Sequence, residues 1–434
     1  MTTAKTLDIL DGAVPKQRNN TTAIFIIGFL FFIFGFVTWL NGSLIQFLKL
    51  VCQLKTDVQA FFVTFAFYMA YFFLAIPSSL ILKRTGFKKG MALGLLVMAI
   101  GSIIFIPAAK ERSFGLFLTG LFIQGMGLAL LQTASNPYIS IIGPIESAAQ
   151  RISIMGICNK IAGITSPLIL SAVLLSNASA IEKKIEATTD TTAKEELLNA
   201  LSGRVVTPYI ILAIVLAILA FMLLKSPLPE PELEKEEPGA AQNTLVSKTS
   251  IWQFPHLLLG ALCIFLYVGV EVMAGDAIGV YGKSMGMPLD ETKYFTTFTL
   301  IAMLMGYVVG IFTIPKFISQ QTALRSSAIL GILFSFAAFV THGYTAITFI
   351  ALLGLANALM WPAIWPLAID KLGKFTKTGS ALLVMGIAGG AIVPLLYGML
   401  KDKIANHQAF FICMLPCYLY ILYYAMKGHK AGRK

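Results

Sequence analysis

About twelve separate apolar stretches, each near twenty residues long, lie between Thr22 and Lys427. Crossing the hydrocarbon core of a bilayer takes about 20 apolar residues in a helix, and only helices or closed barrels satisfy every backbone polar group there. These stretches are too long and too continuous for barrel strands. The sequence therefore predicts an all-α membrane protein with twelve transmembrane helices. Twelve spans without a large soluble domain are typical of a transporter.

The composition agrees with this class. The 434 residues are 57% hydrophobic and only 12% charged, against about 25% charged in soluble proteins. The net charge of +12 is explained by basic loops on one side of the membrane, and we do not expect nucleic-acid binding. The five scattered cysteines show no metal-ligand spacing and argue against a disulfide framework.

The predicted spans divide into two groups of six. They cover residues 22–48, 58–83, 90–109, 114–142, 149–176, 205–225, 254–282, 293–315, 323–341, 344–370, 378–400 and 406–427. The connections are short, apart from a polar, helix-prone loop at 177–204 and a Pro- and Glu-rich linker at 226–252. The domains expected are an N-terminal segment 1–21, an N-terminal six-helix bundle 22–225, the linker 226–252, a C-terminal bundle 253–427 and a tail 428–434.

The basic residues predict the orientation of the chain. With the N-terminus in the cytoplasm, the inside segments hold about 20 Lys and Arg and the outside segments about 12, as the positive-inside rule requires. Both termini and the linker are then cytoplasmic, and loop 177–204 is external. Residues 1–20 are polar and the first apolar run is too long for a signal peptide. We expect a multi-pass protein of a bacterial inner membrane.

The two halves share short sequence matches at equivalent spans. The fifth span contains Ile161–Gly163 followed by Pro167, and the eleventh contains Ile387–Gly389 followed by Pro394. Further matches occur between the third and ninth spans and between the fourth and tenth. These matches indicate a duplicated six-helix unit, which is the parallel repeat of the major facilitator fold.

Three ionisable residues lie deep within predicted spans, where such groups are costly and mark functional sites. Lys160 is on the fifth span, and Glu271 and Asp276 are on the seventh. Glu271 is a candidate cation- or proton-coupling carboxylate, a sugar hydroxyl acceptor, or a structural partner of Lys160. Asp276 is either a coupling group or a hydrated carboxylate near the outer membrane interface. Lys160 pairs with an acid, donates to substrate, replaces a bound cation, or acts as a coupling residue by exchanging a proton, since a buried lysine shifts its pKa readily.

Neutral polar side chains lie at similar depths in several spans, accompanied by tryptophans. The candidates for substrate binding are Asn41, Gln124, Gln132, Asn136, Asn159, Lys160, Glu271, Asn357 and Trp361. Amide, carboxylate and ammonium groups bond sugar hydroxyls, while an indole packs on the C–H face of the ring. The set therefore suits a hexose. Taken one at a time, each amide is equally consistent with a hydrogen bond between two helices.

No set of residues typical of an enzyme active site stands out. The four histidines are scattered near span ends, and the sequence lacks the metalloprotease and P-loop patterns. We expect neither an enzyme nor a cofactor. The single metal expected is a transported sodium ion, with Glu271 and Asp276 as its ligands.

Three stretches have a distinctive sequence: Gln132–Tyr138 on the fourth span, Tyr267–Val272 on the seventh and Gly386–Pro394 on the eleventh. They resemble the fucose–galactose–glucose symporter family of the major facilitator superfamily. The resemblance covers nearly the whole chain and is nearer to the bacterial glucose/galactose transporters than to the L-fucose:proton symporter. It implies secondary active uptake of monosaccharides, driven by protons in the fucose branch and by sodium in some glucose branches.

The chain departs from the fucose branch at both carboxylates tied to proton coupling there. The first-span motif of the family ends Leu-Asn-Asp, whereas this chain has Leu40-Asn41-Gly42, and Gln132 replaces a glutamate. Lys160 is also unusual, because relatives have a small polar residue there. These departures leave Glu271 and Asp276 as the intramembrane acids and favour sodium over the proton.

The function predicted is uptake of a hexose such as glucose, galactose or mannose by symport with sodium, by alternating access around a midplane site. The alternatives are a proton-coupled symporter, an ion-independent uniporter in which Lys160 replaces the ion, and a membrane sugar sensor without flux. The partners expected are the sugar, the coupling cation and the bilayer. A monomer is expected.

Overall fold

The computed structural model describes residues 20–141, 148–228, 250–314, 316–372 and 375–432. Within these ranges the chain is helical and contains no β-strand. Many large apolar side chains point outward, and Phe25 and Phe312 are 77% and 72% exposed. Such a surface is unstable in water and suits contact with lipid.

The helices of the N-terminal half form the first six spans. Their bounds are Asn20–Thr38 continued by Asn41–Val51, Asp57–Lys110 (the second and third spans), Phe114–Ile141, Ala148–Leu174 and Val206–Lys225. The C-terminal half forms the other six. Their bounds are Pro255–Gly275 continued by Ile278–Ser284, Phe295–Thr313, Gln320–Val340, Gly343–Asn357 continued by Met360–Ile369, Thr376–Met385 continued through Gly386–Ala388 into Gly389–Lys401, and Asn406–Met426.

The helix Asp57–Lys110 represents two membrane crossings. Its 54 residues would span about 80 Å at 1.5 Å per residue, more than twice the thickness of a bilayer core. It turns at Gly86, whose φ of 76° lies in a region that glycine adopts without strain. Eleven described helices are long and apolar enough to cross a membrane, and dividing this one gives twelve. The predicted number of spans and the all-α class are confirmed.

Four spans are interrupted near their middles, and the candidate site lies beside these interruptions. The first span breaks between Thr38 and Asn41, the seventh between Gly275 and Ile278, the tenth between Asn357 and Met360, and the eleventh at Gly386–Ala388. A break frees backbone groups inside the bundle, which is tolerated in a membrane protein where protein or a cavity surrounds them.

The longer predicted connections have different outcomes. The 177–204 loop forms two helices, Ala178–Ala187 and Thr191–Gly203, in agreement with its helix-prone composition. Most of the 226–252 linker and nearly all of the N-terminal segment 1–21 lie outside the described residues. In the tail, Gly428–Lys430 forms a short 3-10 helix.

The two halves are bonded to each other at one end of the bundle. We call the end that carries residues 175–205 the loop end, and the opposite end, where Asn20 and Met426 lie, the terminal end. At the loop end the amide of Gln46 donates to the Thr292 backbone oxygen at 3.2 Å, and Asp57 pairs with Lys401. Each of these contacts joins the N-terminal half to the C-terminal half and closes the loop end.

A compact set of bonds at the loop end, the loop-end clamp, involves Asp290 and Lys293 of the C-terminal half. The Asp290 carboxylate accepts from the backbone amides of Ala178 and Ser179, both at 3.2 Å, and so caps the helix Ala178–Ala187. The Lys293 ammonium donates to the Leu175 backbone oxygen at 2.8 Å. A carboxylate at a helix N-terminus is stabilised by the free amides and the helix dipole.

Replacing Asp290 with alanine should make the loop end open more often, because the free amides of Ala178 and Ser179 lose their acceptor. A Ser171→Cys reporter is suitable, since Ser171 is fully buried and bonds the Lys293 backbone oxygen. We expect its alkylation by a membrane-impermeant maleimide at pH 7 to accelerate several-fold. Burial raises the pKa of Cys52 to about 11, which keeps this native thiol protonated and slow to react.

The matched control for this prediction is Asp190→Ala. Asp190 caps the neighbouring helix by accepting from the Thr192 amide at 3.0 Å, in the same loop but within the N-terminal half. Its removal should leave the labelling rate unchanged. Equal rates in the Asp290 and Asp190 variants would contradict a closing role for the clamp.

Candidate functional site

A cavity of about 110 Å³ lies between the two halves, near the middle of the bundle. It extends from the first and seventh spans toward the terminal end. Six of the sequence candidates line it: Gln132, Asn136, Asn159, Lys160, Glu271 and Trp361. The fourth and fifth spans of the N-terminal half and the seventh and tenth spans of the C-terminal half therefore bring these residues to one site.

An ion pair across the two halves lies at the centre of this site. The Lys160 ammonium on the fifth span donates to Oε1 of Glu271 on the seventh at 2.9 Å. The side chains are 6% and 12% exposed, so water screens the attraction only weakly. Leaving either charge buried without the other would cost several kcal/mol, and this favours keeping the pair together.

Trp39 packs beside the ion pair at the break in the first span. The Lys160 ammonium lies 4.3 Å from the centre of the indole, within range of a cation–π interaction. A side chain at Gly163 would begin 2.6 Å from the indole, and one at Gly275 would begin 2.5 Å from it. Two glycines on the fifth and seventh spans thus make room for Trp39 between the halves.

Two amides of the N-terminal half are oriented by hydrogen bonds next to the cavity. The Gln132 amide donates to the Tyr71 hydroxyl at 2.7 Å. The Asn159 carbonyl lies 3.4 Å from the indole nitrogen of Trp39, a long hydrogen bond. Both amides are 6% exposed and line the cavity, so they are positioned to bond a ligand hydroxyl.

Aromatic rings of the C-terminal half form the opposite wall. Trp361 stacks with Trp365 at 5.3 Å between ring centres and lies 6.3 Å from Tyr267. Trp361 and Tyr267 both line the cavity. Apolar faces across from amide and charged groups match the two kinds of surface that a sugar ring presents.

Three predicted substrate-binding residues do not line the cavity. Gln124 donates to Ser102 at 2.8 Å within the N-terminal half, and Asn357 accepts from Tyr418 at 2.8 Å within the C-terminal half. Both are 1% exposed or less, and their contacts hold neighbouring helices together. Asn41 is also 1% exposed and lies at the break of the first span, on the loop-end side of Trp39.

Asp276 occupies the break of the seventh span and is apart from the cavity lining. It is 1% exposed. Neither carboxylate oxygen accepts a hydrogen bond that meets the usual distance and angle criteria, and the Gly42 backbone amide lies beside the carboxylate. Among the described residues it forms no ion pair. An ionised carboxylate in such a position is unfavourable unless it gains a cation or a proton.

Gly42 provides the space for this carboxylate. A side-chain carbon at Gly42 would lie 3.3 Å from Oδ1 of Asp276 and would meet the Thr296 hydroxyl sooner. The Asp276 carboxylate therefore lies next to the space that an aspartate side chain at position 42, as in the Leu-Asn-Asp motif, would occupy. The sequence change at position 42 and the buried acid at position 276 belong to one local arrangement.

Several aromatic residues of the site were not predicted from the sequence. Phe31, Phe34, Tyr68, Tyr71 and Tyr307 also line the cavity. In a chain with 32 phenylalanines and 14 tyrosines, a ring that faces the cavity has the same sequence signature as one that faces lipid. Only the rotation of each helix distinguishes them.

The described residues contain no group of three or more His, Cys, Asp or Glu side chains suited to hold a metal ion. The two acids expected to bind sodium have different surroundings. Glu271 is neutralised by Lys160, whereas Asp276 is not. The site can bind a polar, uncharged ring by hydrogen bonds and stacking. It offers no nucleophile paired with a base.

Comparison with known proteins supports this description. Residues 24–395 match the model of the Major Facilitator Superfamily. The chain is 35% identical to the glucose/galactose transporter of Brucella abortus over 99% of this chain and all of that protein. It is 29% identical to the putative glucose/galactose transporter of Helicobacter pylori, covering 96% and 98% of the two chains.

The L-fucose-proton symporter of Escherichia coli is 26% identical, with 96% of this chain and 95% of that protein covered. The crystal structure of the transporter FucP in the outward conformation superimposes with a TM-score of 0.75 at 25% identity, over 94% of this chain and 99% of that one. The chain therefore belongs to the fucose–galactose–glucose:cation symporter family of the major facilitator superfamily, whose members are transporters rather than enzymes and need no cofactor.

Proposed function

We propose that the protein is a secondary active transporter that takes up a hexose together with a cation. The observation that carries this proposal is the central cavity, in which Gln132, Asn159 and the Lys160–Glu271 pair face Trp361. Amide and charged groups bond hydroxyls, and the indole covers an apolar ring face. Relatives named as glucose/galactose transporters over their whole length support glucose or galactose as the substrate, with mannose the other hexose to test.

Alternating access fits the closure at one end. The loop end is bonded shut by the clamp, while the cavity reaches toward the terminal end. If both termini are cytoplasmic, as the basic residues predict, the structure represents the state closed to the outside. Transport then requires the loop-end bonds to break so that the halves rock around the central site. We further propose that the protein acts as a monomer in a bacterial inner membrane.

Asp276 is the residue that we propose for ion coupling. Glu271 already has the Lys160 ammonium at 2.9 Å, so its charge needs no further cation. Asp276 is buried without an ion-pair partner among the described residues. A carboxyl group in this setting gains most from a bound cation or proton.

A proton fits Asp276 with fewer requirements than sodium. Sodium needs about five or six oxygen ligands, and the sequence-based preference for it relied on Glu271 and Asp276 acting together. The pairing of Glu271 with Lys160 removes one of these two acids from a sodium site. A proton requires only the single carboxyl group, and we therefore propose proton symport as the more economical coupling.

An ion-independent uniporter is the second candidate. It is favoured by the Lys160–Glu271 pair itself, because a permanent ammonium in the site balances the charge that a transported cation would otherwise neutralise. A sugar sensor without flux is the candidate from another class. Measuring flux separates the sensor from both kinds of transporter.

The function is tested by uptake of labelled hexose into proteoliposomes under an imposed pH gradient, a sodium gradient or a matched potassium gradient. We expect accumulation only with the pH gradient. Accumulation only with sodium would overturn proton coupling, and equilibration without accumulation in all three would support the uniporter. Absence of any hexose flux would overturn the transport proposal.

Replacing Asp276 with asparagine should abolish accumulation driven by the gradient while leaving sugar counterflow largely intact. The amide keeps the shape of the side chain but cannot take up or release a proton. Uptake and counterflow measured in the same proteoliposomes check this result. Asp402→Asn, at an exposed carboxylate, is the control, and full accumulation by the Asp276 variant would exclude Asp276 from coupling.

Replacing Gln132 or Asn159 with alanine should weaken hexose binding by about 1–3 kcal/mol each, because a sugar hydroxyl then stays unpaired in the site. Equilibrium binding to purified protein measures the change. Gln124→Ala is the matched control, since Gln124 bonds Ser102 outside the cavity and its loss should leave the affinity unchanged. Equal affinities in all three variants would assign Gln132 and Asn159 to helix packing.

A further inference from the structure

We propose that the bound sugar opens the Lys160–Glu271 ion pair by placing two adjacent ring hydroxyls between the ammonium and the carboxylate. One hydroxyl accepts a hydrogen bond from Nζ of Lys160, and its neighbour donates one to Glu271. The pair then determines which sugars bind, by requiring a contiguous diol. This inference rests on the proposed function.

The first support is the position of the pair. Lys160 lies on the fifth span and Glu271 on the seventh, so their bond joins the two halves. Both side chains line the cavity. A direct bond of 2.9 Å leaves no space for a hydroxyl between the two charged atoms, so hydroxyls that bridge Nζ to Oε1 must separate them.

The second support is the scarcity of other partners for these two charges. The Lys160 ammonium also faces the Trp39 ring at 4.3 Å, and Asp276 is the other acid close enough to act on its charge. Among the described residues no second basic side chain forms an ion pair with Glu271. The Tyr267 hydroxyl also lies beside Glu271, but it carries no charge. Separating the pair without replacement therefore leaves two buried charges with no opposite charge in contact, at a large cost.

A vicinal diol replaces what the separation removes. Adjacent ring hydroxyls lie about one hydrogen-bond length apart, roughly 3 Å, and each is both a donor and an acceptor. One direct bond between the halves becomes two bonds to the sugar, and neither charge is left without a partner. Sugar binding thereby changes the contact between the halves at the centre of the molecule.

The consequence for specificity is sharp. A sugar that lacks one of the two hydroxyls leaves one buried charge unpaired, and sites built to bond a substrate hydroxyl reject such analogues strongly. We expect one or two of the monodeoxy forms of the preferred hexose to bind at least about 100-fold more weakly than the parent sugar. Deoxy forms altered at other positions should bind far better.

The test is equilibrium binding of the preferred hexose and its monodeoxy analogues to the wild-type protein and to the double variant Lys160→Gln/Glu271→Gln. The double variant keeps polar side chains and leaves no single charge buried. We expect it to bind the parent hexose more weakly and to lose the discrimination against the critical deoxy forms, so that their affinity ratio falls from about 100 to less than about 5.

Lys293→Met is the matched control. Lys293 is a second buried lysine that links the halves, through Leu175, but it lies at the loop end away from the cavity. Its loss should leave the ratio between the parent and deoxy sugars unchanged.

Two results would show that the ion pair stays closed when sugar binds: equal affinities of the wild-type protein for all monodeoxy forms, or an unchanged affinity ratio of parent to deoxy sugar in the double variant. Either result would overturn this inference alone. The proposed function would still hold in that case, because the hexose binds. If no hexose binds the wild-type protein at all, both the proposed function and the inference are overturned.

Discussion

The cost of placing charge inside a membrane protein is the constraint on which this structure depends. Lys160 and Glu271 are both nearly buried, and each is tolerated because the other is 2.9 Å away. The two residues belong to different halves, so the requirement for charge pairing also holds the halves in register. Trp39 fits beside the pair only because Gly163 and Gly275 leave space for its ring.

The same constraint separates the two acids of the seventh span. Glu271 is paired with Lys160, while Asp276 is buried at the helix break and forms no ion pair among the described residues. An unpaired acid is the natural place for an exchangeable ion, and a paired acid is the natural place for a ligand that offers both a donor and an acceptor. The loop-end clamp around Asp290 adds a second set of bonds between the halves, and opening of the loop end requires these bonds to break.

Much of the fold follows from the sequence because the bilayer imposes simple rules on length and hydropathy. The twelve spans and the helical 177–204 loop were predictable in this way. Gln124 and Asn357 show the limit for the site, since a buried amide that bonds Ser102 or Tyr418 has the same sequence signature as one that faces a cavity. The Lys160–Glu271 pairing was one of several alternatives. The two residues are 111 positions apart in the sequence, and only the packing of the helices determines whether they meet.

Whether sugar binding opens the ion pair is tested most directly by a double-mutant cycle on thermal stability. The cycle uses Lys160→Gln, Glu271→Gln and the double variant, in the absence and presence of saturating hexose. Residues in contact couple by about 0.5–3 kcal/mol. We expect a coupling near the upper part of this range without sugar, and a clearly smaller coupling with sugar bound, because the two charges then lie farther apart. The same coupling in both conditions would contradict this expectation, because the ion pair would then survive sugar binding.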